Sequence, residues 1–183
     1  MKLRNLVLGL GIAAFALSLS AGVMASEQPI SAQGIARVQK QVRHELNMLP
    51  YVNVFDYMTF TVDENGNVTL NGEVTNPVVK SDAANVVKRV EGVAHVDNKI
   101  QVLPVSFFDN GLRARLYRTI YGYGPLQRYG LGVNKPIRII VENGHVTLLG
   151  VVDSEMDKNL AGIRANTVPG IFSVDNQLKV VKG

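Results

Sequence analysis

The chain contains no cysteine. A disulfide framework, a thiolate metal site and an acylated cysteine anchor are therefore all excluded for this sequence. Histidine is almost as scarce. His44, His95 and His145 fall on a helix surface, before a strand and beside a turn, with no second ligand at metal spacing, so no metal site is expected. His44-Glu45 does not form a base with an orienting carboxylate, because adjacent helical residues do not face each other. With no nucleophile–base pair and no acid pair in view, neither an enzyme nor a cofactor is expected. Long apolar runs are also missing except at the start. Leu6 to Leu19 falls short of the roughly 20 residues that a spanning helix needs. Lys2 and Arg4 precede it, and Val23-Met24-Ala25 follows with small residues at both recognition positions of a signal peptidase. Residues 1–25 therefore read as a cleaved signal peptide. The mature protein is expected to start at Ser26, to be periplasmic or secreted, and to meet membranes peripherally. Cleavage removes Lys2 and Arg4 and lowers the formal charge from +4 to +2, which argues against nucleic acid as a partner.

What is present is a duplication. Asn65-Gly66-Asn67-Val68-Thr69-Leu70-Asn71-Gly72-Glu73-Val74 returns as Asn143-Gly144-His145-Val146-Thr147-Leu148-Leu149-Gly150-Val151-Val152. Val90, Gly92, Val93, Val96, Asp97, Asn98, Ile100 and Val102 return as Val168, Gly170, Ile171, Val174, Asp175, Asn176, Leu178 and Val180. Both blocks repeat at an offset of 78 residues (150 − 72 and 170 − 92). At 183 residues and 46% hydrophobic content, the chain can bury one ordinary core or two small ones, and the repeat favours two.

After a polar leader, 26–35, Ser31 is a plausible cap for an amphipathic helix in which Val38, Val42, Leu46 and Leu49 face one way. Pro50 ends it. Met58, Phe60 and Val62 alternate along a strand, the Asn65-Gly66 turn supplies residues that tolerate positive φ, and a second strand follows. Asn76-Pro77 opens a helix lined by Val79, Ala83, Val86, Val87 and Val90, closed by Gly92. A third strand then places Val96, Asn98, Ile100 and Val102 on one side. The second copy repeats this order. Asp109 or Asn110 is expected to cap its first helix, which carries Leu112, Leu116 and Ile120. Asp153 or Ser154 should cap its second, which runs through Met156, Leu160 and Ile163, an apolar register that suggests a different rotation from the first copy. Phe107-Phe108, in the joining stretch, is expected to pack against one domain. The first hairpin loop carries one residue more than the second.

The helix–hairpin–helix–strand order, with Val-x-Leu-x-Gly after Asn-Gly and Gly-Val-x-x-Val-x-Asn before the last strand, resembles the BON family, named from bacterial osmotic-shock and nodulation proteins. The resemblance implies an α+β fold of two tandem α-β-β-α-β units, each a three-stranded mixed sheet covered by two helices. The units span 36–104 and 112–183, with 105–111 as linker. It also implies an envelope setting, a role in attachment to phospholipid surfaces, possible service in osmotic or envelope stress, and no catalytic signature. From the chain directions alone, the second and third strands of each copy run parallel around a right-handed crossover helix. The central strand is not determined.

Most other motifs have structural explanations. Asp97-Asn98 and Asp175-Asn176 suit backbone hydrogen bonding at a strand entry. Gly72 and Gly150 suit a bulge or a close approach. Gly122-x-Gly124 is no phosphate cradle, since it follows a helix and Pro125 removes a donor. The stretch that stands out is Arg113, Arg115, Tyr117 and Arg118, with Tyr121, Tyr123, Arg128 and Tyr129 behind it. Cations and amphipathic aromatics there suit lipid headgroups or a protein partner. Residues 112–183 carry ten Lys/Arg against five Asp/Glu, whereas 36–104 carry seven against eight. The leading expectation is a non-enzymatic envelope protein that binds an anionic phospholipid surface or an envelope macromolecule through these residues. The alternative is a protein-interaction or chaperone-like periplasmic module. In the competing structural reading, Tyr117, Tyr121 and Tyr129 pack beneath the longer loop while the arginines are solvated.

Overall fold

The computed structural model describes residues 30–132 and 134–181. The signal segment 1–25 and the mature start at Ser26 lie outside the described residues. Helix α1 (Ala32–Asn47) starts at Ser31, whose side chain accepts from the Gly34 amide, and buries Val38, Val42 and Leu46. Strands β1 (Tyr57–Val62) and β2 (Asn67–Val74) form the hairpin, and α2 (Pro77–Val87) follows with Asn76 as its cap. The third strand is split into β3 (His95–Asn98) and β4 (Gln101–Val102). The second copy supplies α3 (Phe107–Tyr121), a 3-10 segment η1 (Gly124–Gly130), β5 (Ile137–Glu142), β6 (His145–Val152), α4 (Glu155–Asn166), β7 (Ser173–Asn176) and β8 (Lys179–Val180). The fold is α+β in two tandem units.

In each unit the second strand is central. β2 pairs antiparallel with β1 and parallel with β3 and β4, and β6 does the same with β5, β7 and β8. The split in the third strand has a side-chain cause. Asn98 donates to the Lys80 carbonyl on α2 and accepts from the Ile100 amide. Asn176 repeats this with Lys158 and Leu178. The repeated asparagine therefore ties helix to sheet and breaks the strand in one stroke. The break also changes the inside–outside phase. Ile100 and Leu103 are buried while Val102, expected on the same side as Ile100, is 38% exposed. Its counterpart Val180 is half-buried. At Gly72 and Gly150 the backbone has positive φ, and a Cβ would lie 2.0 Å from the Tyr57 carbonyl oxygen or 1.9 Å from that of Pro136. Only glycine lets the strands approach that closely.

Four further expectations need correction. Helix α3 begins at Phe107 and is capped by Ser106, so most of the stretch read as linker is helical. Asp109 does not cap it. Its buried carboxylate instead accepts from the amides of Asn143 and Gly144 and holds the second hairpin turn. In α4, Met156 is 71% exposed and Ile163 is exposed too, while Asp157, Ala161, Gly162 and Ala165 face inward. Those four sit 78 residues after Val79, Ala83, Ala84 and Val87 of α2, so the two helices share one rotation. Small residues and a polar one fill the inner face of α4, which apolar periodicity does not reveal. Phe107 projects into solvent and does not pack against either unit.

The repeats meet at the outer edge of β5. The Ile139 amide donates to the Val54 carbonyl and Arg138 donates to the Asn53 carbonyl. Phe55 stands edge-on to Tyr117, and Val54 belongs to the second core. Asp56 fixes this connection from inside, accepting from the Asn53 amide and from both the amide and hydroxyl of Thr75.

Leu70 and Leu148 occupy the centre of each core, with no exposed surface. Leu70→Ala and Leu148→Ala should each cost roughly 2–5 kcal/mol, read as a lower denaturant midpoint. A variant that unfolds with the parent would contradict the strand assignment.

Candidate functional site

The first helices of the two repeats correspond at an offset of 74 (Leu112, Leu116 and Ile120 against Val38, Val42 and Leu46), whereas their first strands correspond at 79. The second copy therefore holds five extra residues between them, and these make room for η1. The segment is anchored by a polar network. Asp157, only 4% exposed, accepts from Arg128 at 2.6 Å, from the Tyr129 hydroxyl at 3.0 Å and from Ser154, which also caps α4. Tyr129 in turn accepts from the Asp153 amide, and Arg128 reaches Asp153 and the Pro125 carbonyl. Burial pushes the Asp157 carboxyl upward, but the hydrogen bonds from Ser154 and Tyr129 and the Arg128 charge prevail and hold it below the usual carboxylate range. In the first copy this position is Val79.

The structure distributes the eight singled-out side chains over several environments. Arg113 is buried, donates to Asn110 and to the Val141 carbonyl, and leaves its Nε without a partner. Burial pulls its pKa down, and Asp109 and Asp56 counter that. Tyr121 is buried too, its hydroxyl donating to the Ile137 carbonyl, and burial raises its pKa strongly. Tyr129 and Arg128 belong to the Asp157 network. Tyr117 lies between Phe55, which meets it edge-on, and the tilted ring of Tyr121, and Tyr123 lies beneath the Arg164 guanidinium. Arg115 is half-buried with a long contact to the Pro169 carbonyl, and Arg118 is exposed. The tyrosines thus underpin the loop, while Arg113 is held inside the protein and Arg128 is paired with Asp153 and Asp157 with its side chain half exposed.

A different surface emerges on α3. Phe107, 93% exposed, and Arg118 lie on one helical face with Gly111 and Ala114 between them at spacings of four, three and four. Beside Phe107, Phe108 packs on the exposed Phe172, which also meets His145. Beyond Arg118, a shallow groove of about 410 Å³ is lined by Tyr117, Tyr121, Gln127 and Leu131. Phe107 and Phe172 were not expected as surface groups. The 78-residue offset sets Phe172 against Ala94, which marks it as a difference between copies. A larger cleft of about 520 Å³ separates the repeats, with Leu49, Val52 and Met58 facing Tyr117, Lys135 and Arg138. Among the described residues no group of three His, Asp or Glu side chains could hold a metal, and no helix is long and apolar enough to cross a membrane.

Residues 35–104 and 130–182 each match the BON domain. This chain belongs to the BON domain family. It is 33% identical over 126 residues to the outer membrane lipoprotein DolP of Haemophilus influenzae, covering 66% of this chain and 60% of that protein. The chain thus matches less than two thirds of that relative's length. Unlike a cysteine-acylated lipoprotein, this sequence has no cysteine to modify. Among solved structures, two of CdsD, a structural protein of the type III secretion system of Chlamydia trachomatis, align at TM-scores of 0.28 and 0.29. They share 13% and 14% identity, over 79% and 78% of this chain and 92% and 96% of theirs, respectively. Likeness that low carries no argument. The BON assignment rests on the family match and on the sheets described above.

The Asp157 network has a pH signature. Because its carboxyl titrates lower folded than unfolded, its contribution is present above the unfolded value near 3.8 and is lost as pH falls through the lower folded value. Asp157→Asn should cost about 1–3 kcal/mol near neutrality, and the gap from the parent should narrow below that range. Denaturant melts at pH 7 and pH 3 check this. A gap that does not change with pH would contradict the assignment.

Proposed function

We propose that this chain is a non-enzymatic protein of the cell envelope that docks peripherally on anionic phospholipid surfaces through the exposed face of α3. The observation that carries the reading is the pairing of Phe107 with Arg118 on one solvent-facing stripe, with only Gly111 and Ala114 between. Eleven residues of helix set the two about 16 Å apart, so both reach a flat surface when the helix lies on it. The glycine and alanine keep the backbone close to that surface. Phe107 supplies apolar area for the acyl boundary, and Arg115 and Arg118 supply charge for the headgroups. The sequence-level signal segment and the outer-membrane setting named for the Haemophilus relative support an envelope location. Protection of the envelope under osmotic or related stress is the physiological role that suits such attachment.

This reading revises which arginines act. Arg113 is internal, so replacing it tests folding and not binding. An Arg115→Ala/Arg118→Ala variant should bind anionic vesicles more weakly by about 2 kcal/mol, roughly 30-fold, at low salt, with the difference shrinking as salt rises. Phe107→Ser should lower affinity by about tenfold or more at any salt, because apolar insertion is not screened. Co-sedimentation with phosphatidylglycerol vesicles measures both. Parental affinity in both folded variants would overturn the proposal.

A further inference from the structure

The outer edge of β1 differs from its counterpart in the second repeat. Phe60 pairs with Leu70 and Ile139 pairs with Leu148, and Leu148 is the repeat of Leu70, so Ile139 stands in the place of Phe60. On β5 the Ile139 amide points away from β6 and is taken by the Val54 carbonyl, and Ile137, Ile139 and Val141 are fully buried. By the same register the Phe60 amide faces away from β2. Yet Met58, Phe60 and Val62 are only partly buried, and β1 pairs with β2 alone among the described strands. A groove of about 380 Å³ runs beside β1 under Arg43, Leu46 and Asn47, with the Arg43 guanidinium 5.9 Å over the Phe60 ring. It shares Leu46, Asn47, Tyr57 and Met58 with the cleft between the repeats, so it is continuous with the junction that closes β5.

What covers β5 is the segment that precedes a repeat's first strand. The chain contains a second segment of this kind. The first-strand offset of 79 sets Leu131 and Gly132 against Val52 and Asn53, and Leu131 is 82% exposed. We propose that the β1 edge of one molecule receives the stretch around Leu131 of a second copy of this chain. The contact reproduces between molecules what Asn53 to Phe55 makes within one, an added strand on an open sheet edge. The interface is heterologous, since a donor on the second repeat meets an acceptor on the first. Each added copy therefore keeps one free donor and one free edge, and association extends head to tail. This goes beyond the membrane reading and involves neither Phe107 nor Arg118.

Sedimentation velocity of the chain from Ser26 onward tests it. The parent should sediment faster as concentration rises. Thr59→Lys/Thr61→Lys places charges on the open edge at two exposed positions. Leu131→Asp disables the donor. Each variant alone should remain monomeric at every concentration. An equimolar mixture should form a one-to-one dimer and nothing larger, because one partner brings the intact donor and the other the intact edge. Parental melting temperatures check that both variants fold, and Thr59→Glu/Thr61→Glu must behave as the lysine version does. A parent that stays monomeric, a mixture that stays monomeric, or a blocked variant that still grows would each overturn the proposal.

Discussion

A strand at the edge of a sheet exposes unpaired amides and carbonyls, and the arrangement of this protein follows from how that need is met at β5. The Ile139 amide finds its acceptor in Val54, a residue of the other repeat, and Val54 enters the second core. Burying one valine is worth about 1.5–3 kcal/mol, and the backbone hydrogen bond adds about 1 more. Neither counts unless the donating segment is held in place. Asp56 does that, with three hydrogen bonds that tie the connection to Thr75 and Asn53. The duplication has thus made one repeat part of the other. The junction is not purely favourable. Burial, and then the charge of Glu142, pushes the carboxyl of Glu73 upward.

The second consequence concerns η1. A valine at position 79 and an aspartate at position 157 occupy the same place in the two helices, each facing the core of its own repeat. A buried carboxylate is costly unless it is fully hydrogen-bonded. Here Arg128, Tyr129 and Ser154 satisfy it, and two of these come from the inserted segment or its end. The second repeat trades an apolar contact for a clamp on the loop that the first repeat lacks. The clamp also accounts for the basic character of the second repeat being less available than its composition implies. Arg113 is internal and Arg128, though half exposed, is paired with Asp153 and Asp157, so of the arginines on α3 only Arg118 and part of Arg115 face solvent.

Much of the fold was legible in the sequence because its signals are local. Asn65-Gly66, Asn76-Pro77 and the alternation around Leu70 and Leu148 act within a few residues and dictate the hairpins and caps. The offset of 78 made the repeat plain, and it also held information that periodicity obscured. Met156 and Ile163 suggested an apolar face, but the register of α2 transferred to α4 gives the correct inner face with Asp157 in it. What was not legible depends on contacts far apart in sequence. Nothing local shows that Val54 will add to β5, that Asp109 will hold the turn at Gly144, or that Arg113 will reach the Val141 carbonyl. Nor does residue type distinguish a buried arginine such as Arg113 from a solvated one, or a packed phenylalanine from an exposed one such as Phe107.

With the β5 edge of the second sheet covered and η1 clamped, α3 is a helix whose inner face is fixed by Leu112, Leu116 and Ile120 and whose outer face is exposed. The chain has no tryptophan. A Phe107→Trp variant therefore carries one reporter at the tip of that face. Its emission should shift to the blue on adding phosphatidylglycerol vesicles and should be quenched by bromine-labelled acyl chains. An emission spectrum unchanged by vesicles, with the protein bound to them by co-sedimentation, would contradict the assignment of α3 as the contact surface.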